Sequence, residues 1–166
     1  MTFRESGLHW LVFSVIFIAL DQWTKQLVFN AMPLGASQSY LPFFNLTHVH
    51  NYGAAFGMLS EAGGWQRWFL SAIAVVVTTV IVYFLRQTPR EDKLLCFAYA
   101  SVLSGAIGNV IDRLNYGFVI DFLDFYYQSW HFPAFNVADI CITLGAIALF
   151  VDALFFQKNK ASESES

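Results

Sequence analysis

The sequence predicts a mainly α membrane protein with four transmembrane helices, and three observations carry that expectation. Of its 166 residues, 57% are apolar and 13% charged, too little charge to cover a soluble domain of this length. Four stretches approach the roughly 20 mostly apolar residues that a bilayer crossing takes. Between those stretches the basic residues sort by side. Arg4, Arg86, Arg90, Lys93, Lys158 and Lys160 fall on one side, and Lys25, Arg67 and Arg113 on the other. The positive-inside rule then places both termini in the cytoplasm.

The first span runs from about Leu8 to Phe29 and is interrupted by Asp21 and Lys25. Arg4 before an apolar run imitates a signal peptide, but no small-x-small cleavage site follows and "DQWTK" continues the helix, so the span is expected to be retained. The outward connection, about 30–67, contains "SYLPFFNLTHVHNYGAAFGML". It is rich in aromatic and β-branched residues and punctuated by Pro42 and Gly53, which predicts a small β-rich segment. The second span, Trp68 to Leu85, is free of charge between Arg67 and Arg86. The third, about Leu94 to Ile111, runs into Asp112 and Arg113. Its outward connection contains "VIDFLDF", which leaves no polar side for a strand, so a short helix or loop is expected there. The fourth span covers about Val137 to Phe156. Residues 1–158 read as a single domain, and 159–166, within "KNKASESES", as a flexible cytoplasmic tail.

Helix rise converts these positions into depth. At 1.5 Å per residue, Asp21 and Lys25 lie about 20 and 26 Å from the inner edge, and Asn109 and Asp112 about 22 and 27 Å. The fourth span enters from outside, so Asn136 and Asp139 fall in its first turn. Three helices thus deliver polar side chains to one outer layer. Ionisable groups at that depth are costly unless paired or hydrated, which makes them functional candidates.

Plainer roles stand beside that reading. Asp21 and Lys25 are four apart with the acid first, the favoured order for a helical ion pair. Asp112 and Arg113 can end a helix among headgroups. Asn136 followed three residues later by Asp139 resembles a capping box. Asp121 and Asp124 share a face if their segment is helical and lie on opposite faces if it is extended. His48 and His50 would share a strand face, but no further cluster supports a metal site and they read as surface histidines. Cys96 begins the third span on the inner side and Cys141 lies near the outer start of the fourth, too far apart for a disulfide. The net charge of −3, with basic residues scattered, argues against a nucleic-acid partner.

"DQWTK" (21–25), "NYGAAFG" (51–57), "SGAIGNVIDR" (104–113), "VIDF" (119–122) and "FNVAD" (135–139) occur in the order found in lipoprotein signal peptidases. The chain resembles this type II, aspartyl-type signal peptidase family of bacterial inner membranes over roughly residues 8–156. The resemblance implies hydrolysis before the diacylglyceryl-modified cysteine of a prolipoprotein, by a catalytic pair at Asp121 and Asp139. It also implies that Asp21, Lys25, Asn51, Gly53, Asn109, Arg113 and Asn136 surround the site or steady the substrate. Asp124 falls outside the matched motif and is expected to be a hydrated neighbour. No metal or other cofactor is implied. The expected partners are prolipoproteins and membrane lipids, and the expected state is a monomer.

Three other classes compete with this reading. A transporter or proton relay also uses intramembrane Asp, Lys and Asn, but should carry polar residues at several depths, and the inner halves of these spans are almost purely apolar. A scaffold would use the carboxylates only to join helices. A Ser–Lys peptidase would need Lys25 as a base, for which pairing with Asp21 is unfavourable.

Overall fold

The structure, a computed structural model, describes residues 5–53, 58–59 and 63–155. The expected tail therefore lies outside the described residues. After a single 3-10 turn at Gly7–Trp10 come α1 (Leu11–Ala31), β1 (Ser37–Leu41), β2 (Phe44–Asn51), α2 (Gln66–Gln87), α3 (Lys93–Asn115), β3 (Val119–Tyr127), β4 (Trp130–His131) and α4 (Val137–Phe155). The four long helices are each long and apolar enough to cross a membrane. Their outward faces carry Val15, Ile16, Val76, Ile147 and Phe150, all more than half exposed. An apolar exterior over intact helices is what a hydrocarbon solvent requires, because helices satisfy their own backbone groups.

α3 is the central post and touches α1, α2 and α4. Its buried face is built from small residues, including Ala98, Ala100, Ser101, Gly105, Ala106 and Gly108, which let helix backbones approach closely. A side chain at Gly105 would run into the carbonyl oxygen of Ala138, at the start of α4. Gly117 lies just past the end of α3, and its φ of +85° suits the left-handed position after a helix. Its N–H donates to the Arg113 carbonyl at 3.1 Å, closing an αL cap. The chain then turns directly into β3.

The four strands form one antiparallel sheet in the order β1-β2-β3-β4. On β2, Asn51 stands opposite Val119, Val49 opposite Asp121 and Asn45 opposite Asp124. The register shifts between Leu46 and Val49, and the consecutive residues Thr47 and His48 are both buried.

Two expectations change here. The connection between α3 and α4 is not a short helix or loop but the nine-residue strand β3 with its small partner β4. The missing polar alternation has a physical cause: Val119, Ile120, Asp121 and Phe122 are all buried, and a strand covered on both faces has no wet side to mark. One edge of β3 is paired by β2, and on the other Phe122 and Leu123 donate to the Phe135 carbonyl at 3.0 and 2.8 Å. The histidines are not surface residues either. His48 is buried, its Nδ1 lies 2.8 Å from the Met32 carbonyl, and its Nε2 lies 3.1 Å from that of His50. Burial, and next the neighbouring His48, hold His50 below the ordinary imidazole range.

Candidate active site

β3 and the first turn of α4 bring Asp121 and Asp139 into one hydrogen-bonded cluster, with Asn136 as the joint. The capping box is formed. The Asp139 N–H donates to Asn136 Oδ1 at 3.0 Å, and the Asn136 N–H donates to Asp139 Oδ2 at 3.2 Å. Asn136 Nδ2 then reaches across to Asp121 Oδ1 at 2.6 Å. A cap that would only end a helix elsewhere here joins two acidic groups from separate elements.

Each remaining carboxylate oxygen has its own donor. Asn51 Nδ2 donates to Asp121 Oδ2 at 3.0 Å, and Asn109 Nδ2 to Asp139 Oδ1 at 2.9 Å. Asn51 also fixes the backbone beside it, because its Oδ1 accepts the Gly53 N–H at 3.0 Å. The Gly53 carbonyl accepts Arg113 Nη2 at 3.0 Å, while Nη1 donates to the Asn109 carbonyl at 3.3 Å. Arg113 Nε is buried with no hydrogen-bond partner among the described residues.

Asp121 is 2% exposed. Burial first, and then the charge of Asp139, push its carboxyl up to about 7, while the bonds from Asn51 and Asn136 and the charge of Lys25 act the other way. Desolvation and a like charge are the two effects that keep one carboxyl of a pair protonated near neutrality. The arrangement can therefore offer a proton acceptor and a proton donor side by side.

Beneath the pair, Lys25 is completely buried and bridges two carboxylates, Asp21 Oδ2 at 2.8 Å and Asp112 Oδ2 at 3.0 Å. The ion pair expected within α1 is thus present, and Asp112 completes it from α3. Gln22 was not foreseen. Its Nε2 donates to Asp112 Oδ1 at 2.9 Å and to the Gly108 carbonyl at 3.1 Å. The available signal was a polar stripe: Gln22 lies three residues before Lys25, on the same side of an otherwise apolar helix. Asp124 also departs from expectation. It is buried rather than hydrated and is held by Asn45 Nδ2 at 2.9 Å and by His131 Nδ1 at 2.9 Å.

A cavity of about 700 Å³ opens between α2, α3 and α4. Asn51, Asn109, Arg113 and Asp139 supply its polar wall, and Leu70, Val77, Ala106 and Leu144 are among its apolar ones. Among the described residues no group of three or more His, Cys, Asp or Glu side chains has metal-binding geometry.

Against known proteins, the profile of the family described as Signal peptidase (SPase) II matches residues 13–155. The chain belongs to the signal peptidase II family. It is 55% identical over 161 residues to a lipoprotein signal peptidase of Alteromonas mediterranea, covering 97% of this chain and 88% of that one. It is 46% identical to one of Acinetobacter baumannii, covering 99% and 93%. A solved bacterial membrane enzyme superimposes with a TM-score of 0.82 at 32% identity, over 92% of this chain and 91% of the other. The chain is thus a protease of the signal peptidase II family and a multi-pass membrane protein.

Proposed function

We propose that the chain removes signal peptides from bacterial prolipoproteins by cleaving before the diacylglyceryl-modified cysteine, with Asp121 and Asp139 as a water-activating pair. The observation that carries the reading is the single residue Asn136 bonded to both carboxyl groups, to Asp121 through its side-chain amide and to Asp139 through its backbone N–H, with the Asp121 carboxyl holding its proton to about pH 7. The ionised carboxylate takes a proton from water as the oxygen attacks the scissile carbonyl. The protonated carboxyl donates to the developing oxyanion, and the proton taken from water passes to the leaving amine as the carbonyl re-forms. The proton belongs to the pair rather than to one residue.

The remaining residues position this chemistry. Asn51, Asn109 and Asn136 aim the carboxylates, Gly53 and Arg113 shape the approach, and Asp21 with Lys25 anchors α1. The apolar cavity beside Asp139 accommodates the hydrocarbon parts of the substrate. Basic residues at Arg86, Arg90 and Lys93 favour the cytoplasm for the α2–α3 connection and both termini. The sheet and the site then face the periplasmic side of the inner membrane, and residues 1–158 act as one domain, as a monomer among membrane lipids without a cofactor.

The test is cleavage of a diacylglyceryl-modified precursor by purified protein, with and without chelator. Asp121→Asn and Asp139→Asn should each abolish product while the folded protein remains in the membrane. Asp124→Asn should retain cleavage. Full activity in either of the first two removes that residue from the mechanism, and loss of activity in chelator points to metal chemistry.

A further inference from the structure

The buried Lys25 has no hydrogen left to offer a substrate. Its ammonium has three N–H donors, and they meet Asp21 Oδ2 at 2.8 Å, Asp112 Oδ2 at 3.0 Å and Asn109 Oδ1 at 3.0 Å. The two carboxylates it binds do something further, and they do it symmetrically. Asp21 Oδ1 accepts the N–H of Ala138 at 2.8 Å, the residue immediately before Asp139. Asp112 Oδ2 accepts the N–H of Ile120 at 3.1 Å, the residue immediately before Asp121. The third acceptor, Asn109, donates to Asp139 directly. One ammonium from α1 thus ties together the backbone just ahead of each acidic residue, on α4 and on β3.

We propose that Lys25, Asp21 and Asp112 form a two-armed clamp whose arms set the separation and the electrostatic balance of the Asp121–Asp139 pair. This inference rests on the reading of that pair as the catalytic dyad. The three are positioning residues, since none lines the cavity. Their reach is also electrostatic. The charge of Lys25 acts on Asp121, in surroundings where a single charge is poorly screened. Arg113 of α3 faces both acids, Asp112 of α3 meets the backbone N–H of Ile120 just ahead of Asp121, and across the pair Asp121 faces the charge of Asp139.

The sign of each arm follows. An active dyad holds one proton, so its rate profile against pH has an acid limb, where the first proton leaves, and a basic limb, where the second leaves. Removing a positive charge makes both departures harder. Removing a negative charge makes both easier.

The experiment is the pH profile of kcat/KM for Lys25→Met and Asp112→Asn, measured with the diacylglyceryl-modified precursor beside unsubstituted protein. Both limbs should move to higher pH in Lys25→Met and to lower pH in Asp112→Asn, each by about half a unit or more. In both variants kcat should fall about 10- to 100-fold through misplacement of the dyad, with KM within about twofold. Limbs that stay in place, or that move in the same sense in both variants, overturn the proposal, as does a loss carried by KM alone. Lys25→Met leaves two buried carboxylates without a cation and is the variant at risk of misfolding. Asp112→Asn leaves the one-to-one pair of Lys25 with Asp21, so its profile decides alone if the first does not fold. Cleavage that survives in Asp121→Asn and Asp139→Asn would instead remove the dyad itself. Loss of cleavage in those two with unmoved limbs in the clamp variants would remove the clamp only.

Discussion

Asn136 is the residue on which the polar cluster turns, because a single amide caps α4 through its oxygen and reaches Asp121 through its nitrogen. Asn136→Ala removes a hydrogen bond to a charged group, worth about 1.5–3 kcal/mol, so kcat should fall roughly 10- to 100-fold in the precursor assay. Much of the loss should show as rate rather than as failure to bind, since the side chain is fully buried. Asp121 makes a second prediction, on stability. Its carboxyl rises from an ordinary 3.8 to about 7 in the fold, so the folded state holds the proton more tightly than an unfolded chain does. That contribution is complete below about pH 4 and is lost as pH rises through about 7. The melting temperature of unsubstituted protein should fall across this window, and that of Asp121→Asn should fall less. An equal slope in both proteins would locate the titration elsewhere.

At the scale of elements, the packing of α4 against α3 decides where Asp139 sits. Gly105 lies against the first turn of α4, with no room for a side chain before the Ala138 carbonyl. Gly105→Val should therefore push that turn outward, costing about 1–3 kcal/mol by overpacking, and should lower both the melting temperature and the cleavage rate. Unchanged values in both would show that the contact yields freely. The helices were legible in the sequence because a membrane span is a long, loud signal, and the depth count brought Asp21, Lys25, Asn109, Asn136 and Asp139 to one layer without coordinates. β3 was not legible. Its pairing partner lies some 70 residues earlier in the chain, at Phe44 to Asn51, and burial on both sides erases the period-two pattern. The partners of Gln22 and the burial of Asp124 were hidden for a related reason, although the polar stripe on α1 marked Gln22 itself. Each is explained by a partner distant in sequence, Gly108 and Asp112 for the first and Asn45 for the second.

For the molecule as a whole, the described polar layer holds two cations, Lys25 and Arg113, against four carboxyls, Asp21, Asp112, Asp121 and Asp139. A layer with that imbalance, wrapped in apolar helices, favours retention of a proton, because an added negative charge there has little water to spread into. The bundle supplies the dryness, the sheet supplies one acid, and the fourth helix supplies the other. Sealing Lys25 from water also seals it from reagents. An amine-selective acylating probe should label the exposed Lys93 in intact protein and leave Lys25 unmodified. Its appearance among labelled peptides would then date the moment at which the bundle comes apart, a built-in tamper mark for following unfolding in detergent.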